Sequence, residues 1–294
     1  MNTTLRELIA GTHELASLPQ TTARLLELLD DPTVEAVVLL DIIGRDPGLT
    51  ANLLKLCNSA YYGRRREVGT LLEALVLLGN RTVLTLAFAT SMGRVLRGDL
   101  AGYGMRKDVL WRHSLAVAFG AATIVRDDGR QQLGDRAFTA GLLHDIGKLL
   151  LAQPLARSLE WEEAASGERN LLDLERQIVG FDHAEAGAAL ADAWRLPAQL
   201  VSAIRWHHQP GEAAQDGDLV MAVHWADGIA AALGYPGAGA QPDAPLAEGP
   251  LDVPGLPAEI AHHVAAQLAN EVERLAGLMP ELAGSGQTGR ASRW

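Results

Sequence analysis

The stretch Phe138-Thr-Ala-Gly-Leu-Leu-His144-Asp145-Ile-Gly-Lys148-Leu-Leu-Leu151 places three ionisable side chains inside an otherwise apolar helical run. In a dry core, a carboxylate beside an imidazole, with an ammonium one turn on, carries a heavy desolvation penalty unless partners or a metal ion compensate it. Lys148 follows His144 by four residues, which puts both on one helical face. Gly141 and Gly147 lie three residues before and after His144, near its face. Two missing side chains there let a neighbouring helix or a ligand approach closely, although each glycine weakens the helix.

Outward from this stretch the chain reads as helix after helix, with 5% aromatic residues and few β-branched alternating runs, so the expected fold class is all-α. Asp46-Pro47 is an N-cap followed by proline at the first helical position, opening a helix through Leu49, Leu53, Leu54 and Leu56. Thr70-Leu-Leu-Glu73 has capping-box spacing, and Gly79-Asn80 ends that helix and caps the next, about Arg81 to Leu96. Lys107-Asp108 is expected to cap a helix to about Val125 that buries Trp111, Leu115, Phe119 and Ala122 and carries His113. Asp135 is expected to cap the helix bearing the opening stretch. Asp182 and Glu185 form a second capping box, with His183 in the first turn. A later helix ends in Trp206-His207-His208-Gln209-Pro210, and the next contains His224 and Asp227. Asn58 to Gly63 reads as a helix end and turn, Pro236 to Pro257 as a long Pro/Gly-rich loop, and the tail from Gly284 as disordered.

With 294 residues, 48% of them hydrophobic, the chain can bury one large or two small cores. The net charge of −11 argues against a nucleic-acid partner, because that binding needs a basic surface. The one basic run, Arg64-Arg65-Arg66, reads as a solvated loop. No apolar run approaches bilayer length and the start lacks a signal pattern, so no membrane partner is expected and the localisation expected is cytoplasmic. Cys57 is the only cysteine, which excludes an internal disulfide and a thiolate zinc cluster and leaves it as a small core residue.

The second half offers His113, His144, Asp145, His183, His207, His208 and Asp227, a set of nitrogen and oxygen donors suited to a hard or borderline divalent metal. If one carboxylate bridges, they fill two adjacent sites, the arrangement that clamps a phosphoryl group and activates water. Taken singly, each histidine reads as a hydrogen-bonded core or surface residue. His13, His224, His262 and His263 keep that reading.

The ordered set His113, His144-Asp145, His183, His207-His208, Asp227 resembles the signature of the HD superfamily of metal-dependent phosphohydrolases. More narrowly, Gly141-Leu-Leu-His-Asp-Ile-Gly-Lys148 and Asp182-His-Ala-Glu-Ala-Gly187, with Asp46-Pro-Gly-Leu-Thr50 and Cys57-Asn-Ser-Ala-Tyr-Tyr-Gly63 upstream, resemble the HDOD family over about residues 11 to 234. The resemblance implies an N-terminal helical bundle packed on an HD-type helical bundle, in a bacterial signal-transduction protein. Position by position it implies that His113, His144, Asp145 and Asp227 hold a first metal, that Asp145 bridges to a second held by His183, His207 and His208, and that Lys148 reaches toward a substrate phosphate. Lys148 as a salt-bridge partner of Asp145 is the structural alternative. The chain departs from the HD-GYP relatives that hydrolyse cyclic di-GMP. Gln209-Pro210-Gly211-Glu212 follows the paired histidines, Val109 stands one turn before His113, and Gly234-Tyr235-Pro236 comes after Asp227, where it reads as a coincidental turn.

The expected organisation is therefore an N-terminal helical subdomain at 1–104, an HD-like subdomain at 105–234, a loop at 235–257, a helix at 258–280 and a tail at 281–294. The expected function is a regulatory protein-interaction module for a signalling partner, with one or two divalent transition metal ions, iron or manganese before zinc since thiolates are absent. The other reading is a metal-dependent phosphohydrolase or phosphodiesterase acting on a nucleotide, cyclic nucleotide or other phosphoester, with Asp145 and Lys148 catalytic. Retention of every ligand position favours that reading without deciding it, because a structural metal needs ligands too.

Overall fold

A computed structural model describes residues 3–12, 19–29, 31, 33–58, 67–130, 133–158, 170–235, 237 and 253–277. Residues 59–66, which include most of the expected Asn58 turn and the Arg64 to Arg66 run, lie outside these, as do most of the Pro236 to Pro257 loop and the tail from Gly284. The described chain is helical, with no strand beyond one isolated bridge between Leu100 and Met105. The helices are α1 (Thr3–Gly11), α2 (Gln20–Leu28), α3 (Ala36–Gly44), α4 (Pro47–Cys57), α5 (Leu71–Leu78), α6 (Asn80–Leu96), α7 (Val109–Asp127), α8 (Gly134–Leu143), α9 (Lys148–Ala156), α10 (Leu171–Val179), α11 (His183–Ala193), α12 (Ala198–Trp206), α13 (Gly217–Ala232) and α14 (Ala258–Gly277).

Two helices organise the packing. In α7 every residue except Arg112, Arg126 and Asp127 is buried, so this helix is apolar all round, as a helix surrounded by others must be. It packs against α6, α8, α13 and α14. α6 is nearly as buried and joins the N-terminal helices α2, α4 and α5 to α7 and α8. One continuous hydrophobic core therefore runs from Leu25 and Leu53 through Phe88 and Trp111 to Val223 and Leu268. Each such large apolar side chain contributes about 1.5–3 kcal/mol on burial.

Local chemistry sets the helix ends. Asp46 accepts from the Leu49 amide at 2.9 Å ahead of Pro47, and Thr70 accepts from the Glu73 amide at 3.1 Å. The return bond of the box at Thr70 goes one residue further back, since Glu73 accepts from the Gly69 amide at 2.8 Å. Three expected caps fall differently. Asp108 stands before α7 with a positive φ of 70°, and its carboxylate is drawn to Arg97 instead of to the helix amides. Asp135 lies within the first turn of α8. Asn80 is the first residue of α6 and donates to the Val34 carbonyl at 2.9 Å. For Asp108 and Asn80 a longer-range partner wins over the local one.

The opening stretch is not one continuous helix. α8 ends at Leu143, residues 144–147 form a turn and α9 starts at Lys148. Tight bonds spanning three residues, Ile146 N to Leu143 O at 2.9 Å and Lys148 N to Asp145 O at 3.0 Å, carry the chain across the break. The two glycines have the role their spacing implies. A Cβ on Gly141 would lie 2.7 Å from the Val117 carbonyl of α7, and one on Gly147 would lie 1.9 Å from the His183 carbonyl of α11.

Candidate metal centre

Five segments converge on the turn after α8. His113 comes from the buried face of α7, His144 and Asp145 from the turn, His183 from the first turn of α11, His207 and His208 from just past α12, and Asp227 from α13. The Asp182 capping box, with both of its bonds present, fixes where α11 starts and so where His183 stands. All seven residues expected from the sequence are brought together. They fall into two groups, His113–His144–Asp227 and Asp145–His183–His207–His208, whose donor atoms lie within 4.8 Å of one another inside each group.

Asp145 stands between the groups. Its Oδ2 is 3.2 Å from His113 Nε2 and 3.4 Å from His144 Nε2, and its Oδ1 is 3.2 Å from His183 Nε2 and 3.8 Å from His207 Nε2. His113 Nε2 lies 3.4 Å from Asp227 Oδ1. One carboxylate thus presents one oxygen to each group.

The ring orientations come from outside the cluster. His113 Nδ1 donates to the Tyr235 carbonyl at 2.8 Å, His144 Nδ1 to the Gly141 carbonyl at 2.7 Å and His207 Nδ1 to the Ile204 carbonyl at 2.8 Å. A carbonyl only accepts, so Nδ1 carries the hydrogen and the neutral ring presents a lone pair at Nε2. His183 Nδ1 faces the buried carboxylate of Glu175 at 2.8 Å. Glu175 also accepts from the His183 amide at 2.8 Å and from the Tyr103 hydroxyl at 2.8 Å. In their neutral forms His113 and His144 turn their Nε2 lone pairs toward each other at 3.0 Å, and His183 Nε2 stands 3.0 Å from His208 Nε2.

This arrangement calls for positive charge at its centre. Burial opposes charge on His183, but Glu175 and Asp145 outweigh it and raise its pKa to about 9. Burial likewise opposes charge on His144, and Asp145 and Asp227 still raise it. Burial and the neighbouring His183 push His208 down to about 4, and burial and His208 hold His207 well below the imidazole range. The Asp145 carboxyl is held well below its usual range by Lys148 and His144 against the effect of burial. Asp145 Oδ1 and His207 Nε2 are buried without any hydrogen-bond partner. A divalent cation held by these residues would offset this charge and take up the unpartnered donors. Nitrogen and oxygen donors about 2.1 Å from one ion stand about 3.0–3.4 Å apart at octahedral or tetrahedral angles, close to the spacings here. The donor set, without sulfur, is that of a hard or borderline divalent metal.

Lys148, 3% exposed, is ion-paired with Asp145 Oδ2 and donates to the Gly237 carbonyl at 2.7 Å. The structural alternative for Lys148 therefore holds geometrically. A Cβ on Gly237 would meet His113 Nε2 at 3.0 Å and Asp145 Oδ2 at 3.2 Å, so this backbone lies directly against the first group. The turn at Gly234 and Tyr235 reaches the same group. Gly234, at φ 80°, ends α13 with the paired bonds Tyr235 N to Ala230 O and Gly234 N to Ala231 O, and this turn seats the Tyr235 carbonyl on His113. Glu175, Tyr103, Tyr235 and Gly237 were not identifiable from the sequence, since none carries ligand spacing. Cys57 is buried, as expected. His262 and His263 lie away from the cluster, and His224 Nδ1 bonds the His207 carbonyl at 2.8 Å, one shell behind it.

No helix among the described residues is long and apolar enough to cross a membrane. The model of the HDOD domain matches residues 15–210. An uncharacterized protein of Treponema pallidum is 30% identical over 206 residues, covering 68% of this chain, and the match spans 39% of that longer protein. An HDOD domain protein of unknown function from Geobacter sulfurreducens shares the fold with a TM-score of 0.72 at 23% identity, over 94% of this chain and 92% of that one. A Shewanella amazonensis protein provisionally called a phosphohydrolase aligns with a TM-score of 0.69 at 27% identity, over 94% and 98% of the two chains. On the family match and the shared helical fold, this chain belongs to the HDOD domain family.

Proposed function

We propose that the protein is a bacterial, cytoplasmic regulatory module that acts through a signalling protein partner and carries a two-ion metal centre, iron or manganese, bridged by Asp145. The observation that carries the metal reading is the division of the Asp145 carboxylate between two histidine groups, with Oδ1 and His207 Nε2 left unpartnered in the core. Two features support a regulatory role. The ligands His113, His144, Asp145, His183 and His207 are fully or almost fully buried, and Gly237 covers the first group. On the other half, α3 and α5 pack together and expose Val37, Leu72, Val76 and Leu77, with Val76 76% exposed, a surface of the kind proteins use to bind one another.

A second reading, hydrolysis of a nucleotide or other phosphoester, is favoured by Lys148. When bound, a metal pair polarises a phosphoryl group and lowers the pKa of water. Lys148 would neutralise charge on the phosphoryl oxygens, and the burial of the cluster would exclude bulk water. For this reaction Lys148 must exchange the Gly237 carbonyl for a substrate oxygen. Elemental analysis of the purified protein, combined with a phosphodiester and nucleotide panel on the metallated sample, separates the readings. Stoichiometric metal without turnover supports the regulatory module. Turnover that vanishes in Asp145→Ala supports the hydrolase. Absence of metal overturns both.

A further inference from the structure

The two groups differ in what stands behind their donors. In His113–His144–Asp227, both imidazoles are backed by neutral backbone carbonyls. The Asp145 oxygen facing this group, Oδ2, is already engaged by the Lys148 ammonium, and the Gly237 carbonyl lies over the same face. A resident positive charge thus occupies the place where a cation would draw its charge. The Nε2 atoms of His113 and His144 face each other at 3.0 Å beside this ammonium.

The second group is the reverse. Asp145 Oδ1 and His207 Nε2 are buried without hydrogen-bond partners, Oδ1 standing 3.2 Å from His183 Nε2, and both belong to this group. His183 is backed by a full carboxylate, Glu175, which is itself fixed by the Tyr103 hydroxyl and the His183 amide. A carboxylate behind a ligating imidazole raises its basicity and fixes its orientation, and loss of such a partner typically lowers metal affinity 10–100-fold. The Glu175 contacts also bind α10 to the start of α11, so the ring is oriented before any ion arrives.

Building on the metal reading above, we infer that the two positions are unequal. The position bounded by Asp145 Oδ1, His183, His207 and His208 is the resident, tightly held one, with Glu175 as its positioning residue. The position bounded by Asp145 Oδ2, His113, His144 and Asp227 fills second and exchanges, because Lys148 competes for it. The protein therefore holds one structural ion and one replaceable ion, and the replaceable one lies where Lys148 and Gly237 meet.

The test is a Mn(II) titration of the metal-stripped full-length chain by calorimetry, with elemental analysis after gel filtration. The expected wild-type result is one retained ion and a second bound at least about tenfold more weakly. Asp227→Ala should still retain one ion, and His208→Ala should retain none. Glu175→Gln should weaken the tight position by about 10–100-fold and leave the weak one unchanged, whereas a purely structural role would weaken both together. Lys148→Met should tighten the weak position. Equal affinity for two ions, or retention of the ion in His208→Ala but not in Asp227→Ala, would overturn the inequality while leaving the metal centre standing. A wild-type protein that binds no Mn(II) at all would overturn the metal centre and the inequality together. If Glu175→Gln fails to fold, the Asp227→Ala and His208→Ala pair decides alone.

Discussion

Replacing Gly147 by alanine adds one methyl group at the point where the Asp145 turn meets α11. That Cβ would sit 1.9 Å from the His183 carbonyl oxygen and 2.5 Å from the Gly187 amide nitrogen, where real Cβ atoms do not come within 3.0 Å. Relief requires a retreat of about 1.1 Å, and both obstacles are backbone atoms of a helix already packed on Ile204 through Gly187. Adding a methylene to a well-packed core typically costs about 1–3 kcal/mol when side chains can adjust. With backbone on both sides the expected cost is about 3–5 kcal/mol, within the range reserved for severe packing faults. For a chain of this size that lowers the melting temperature by about 10 °C. The strain falls on His183 itself, so metal retention should drop as well. Circular dichroism melts and elemental analysis of Gly147→Ala would check both effects, with Gly211→Ala, which meets nothing within 4 Å, as a control expected within about 0.5 kcal/mol of wild type. A Gly147→Ala protein that melts within about 2 °C of wild type and keeps its metal would refute the account of this contact.

Two further outcomes follow from the cluster's charges. In the metal-free protein the His183 pKa, raised to about 9 from 6.5, stabilises the fold fully below about pH 6.5, and this contribution is lost as pH rises through 9. His208, lowered to about 4, contributes stability above pH 6.5 that is lost as pH falls toward 4. Melting temperature against pH should therefore fall on both sides, and a curve still climbing past pH 9 contradicts the His183 assignment. Because a metal displaces the His183 proton, apparent metal affinity should rise about tenfold per pH unit between pH 7 and 9, as read by calorimetry. In the metal-free state, Asp145→Asn leaves Lys148 buried without its carboxylate and should cost about 3 kcal/mol in urea unfolding. A loss below about 1 kcal/mol would show that the pair contributes little.

The seven cluster residues were legible as an ordered set that resembles the HD signature, and five of them also carry a local signal. His144-Asp145 interrupts an apolar run, Asp182-x-x-Glu185 marks a helix start with His183 inside it, and His207-His208 stand at a helix end before Pro210. The all-helical fold was legible for a related reason, since caps and apolar spacing are local signals. What escaped was set by tertiary contact. Glu175 sits on an amphipathic helix with nothing to separate it from a solvated glutamate, yet folding buries it behind His183. Tyr235 and Gly237 act through backbone carbonyls, which leave no trace in side-chain spacing. Asp108 and Asn80 read as caps because their local option is visible in sequence and their distant partners, Arg97 and Val34, are not. The helix break at residues 144–147 was hidden by a run that is apolar on both sides of it.

The central claim, a metal centre bridged by Asp145, is tested most directly by elemental analysis of the anaerobically purified protein beside Asp145→Ala. The account predicts at least one iron or manganese ion per chain in the wild type and loss of that metal in the variant. A wild-type protein without stoichiometric metal, even after anaerobic reconstitution with Fe(II) and Mn(II), would contradict it.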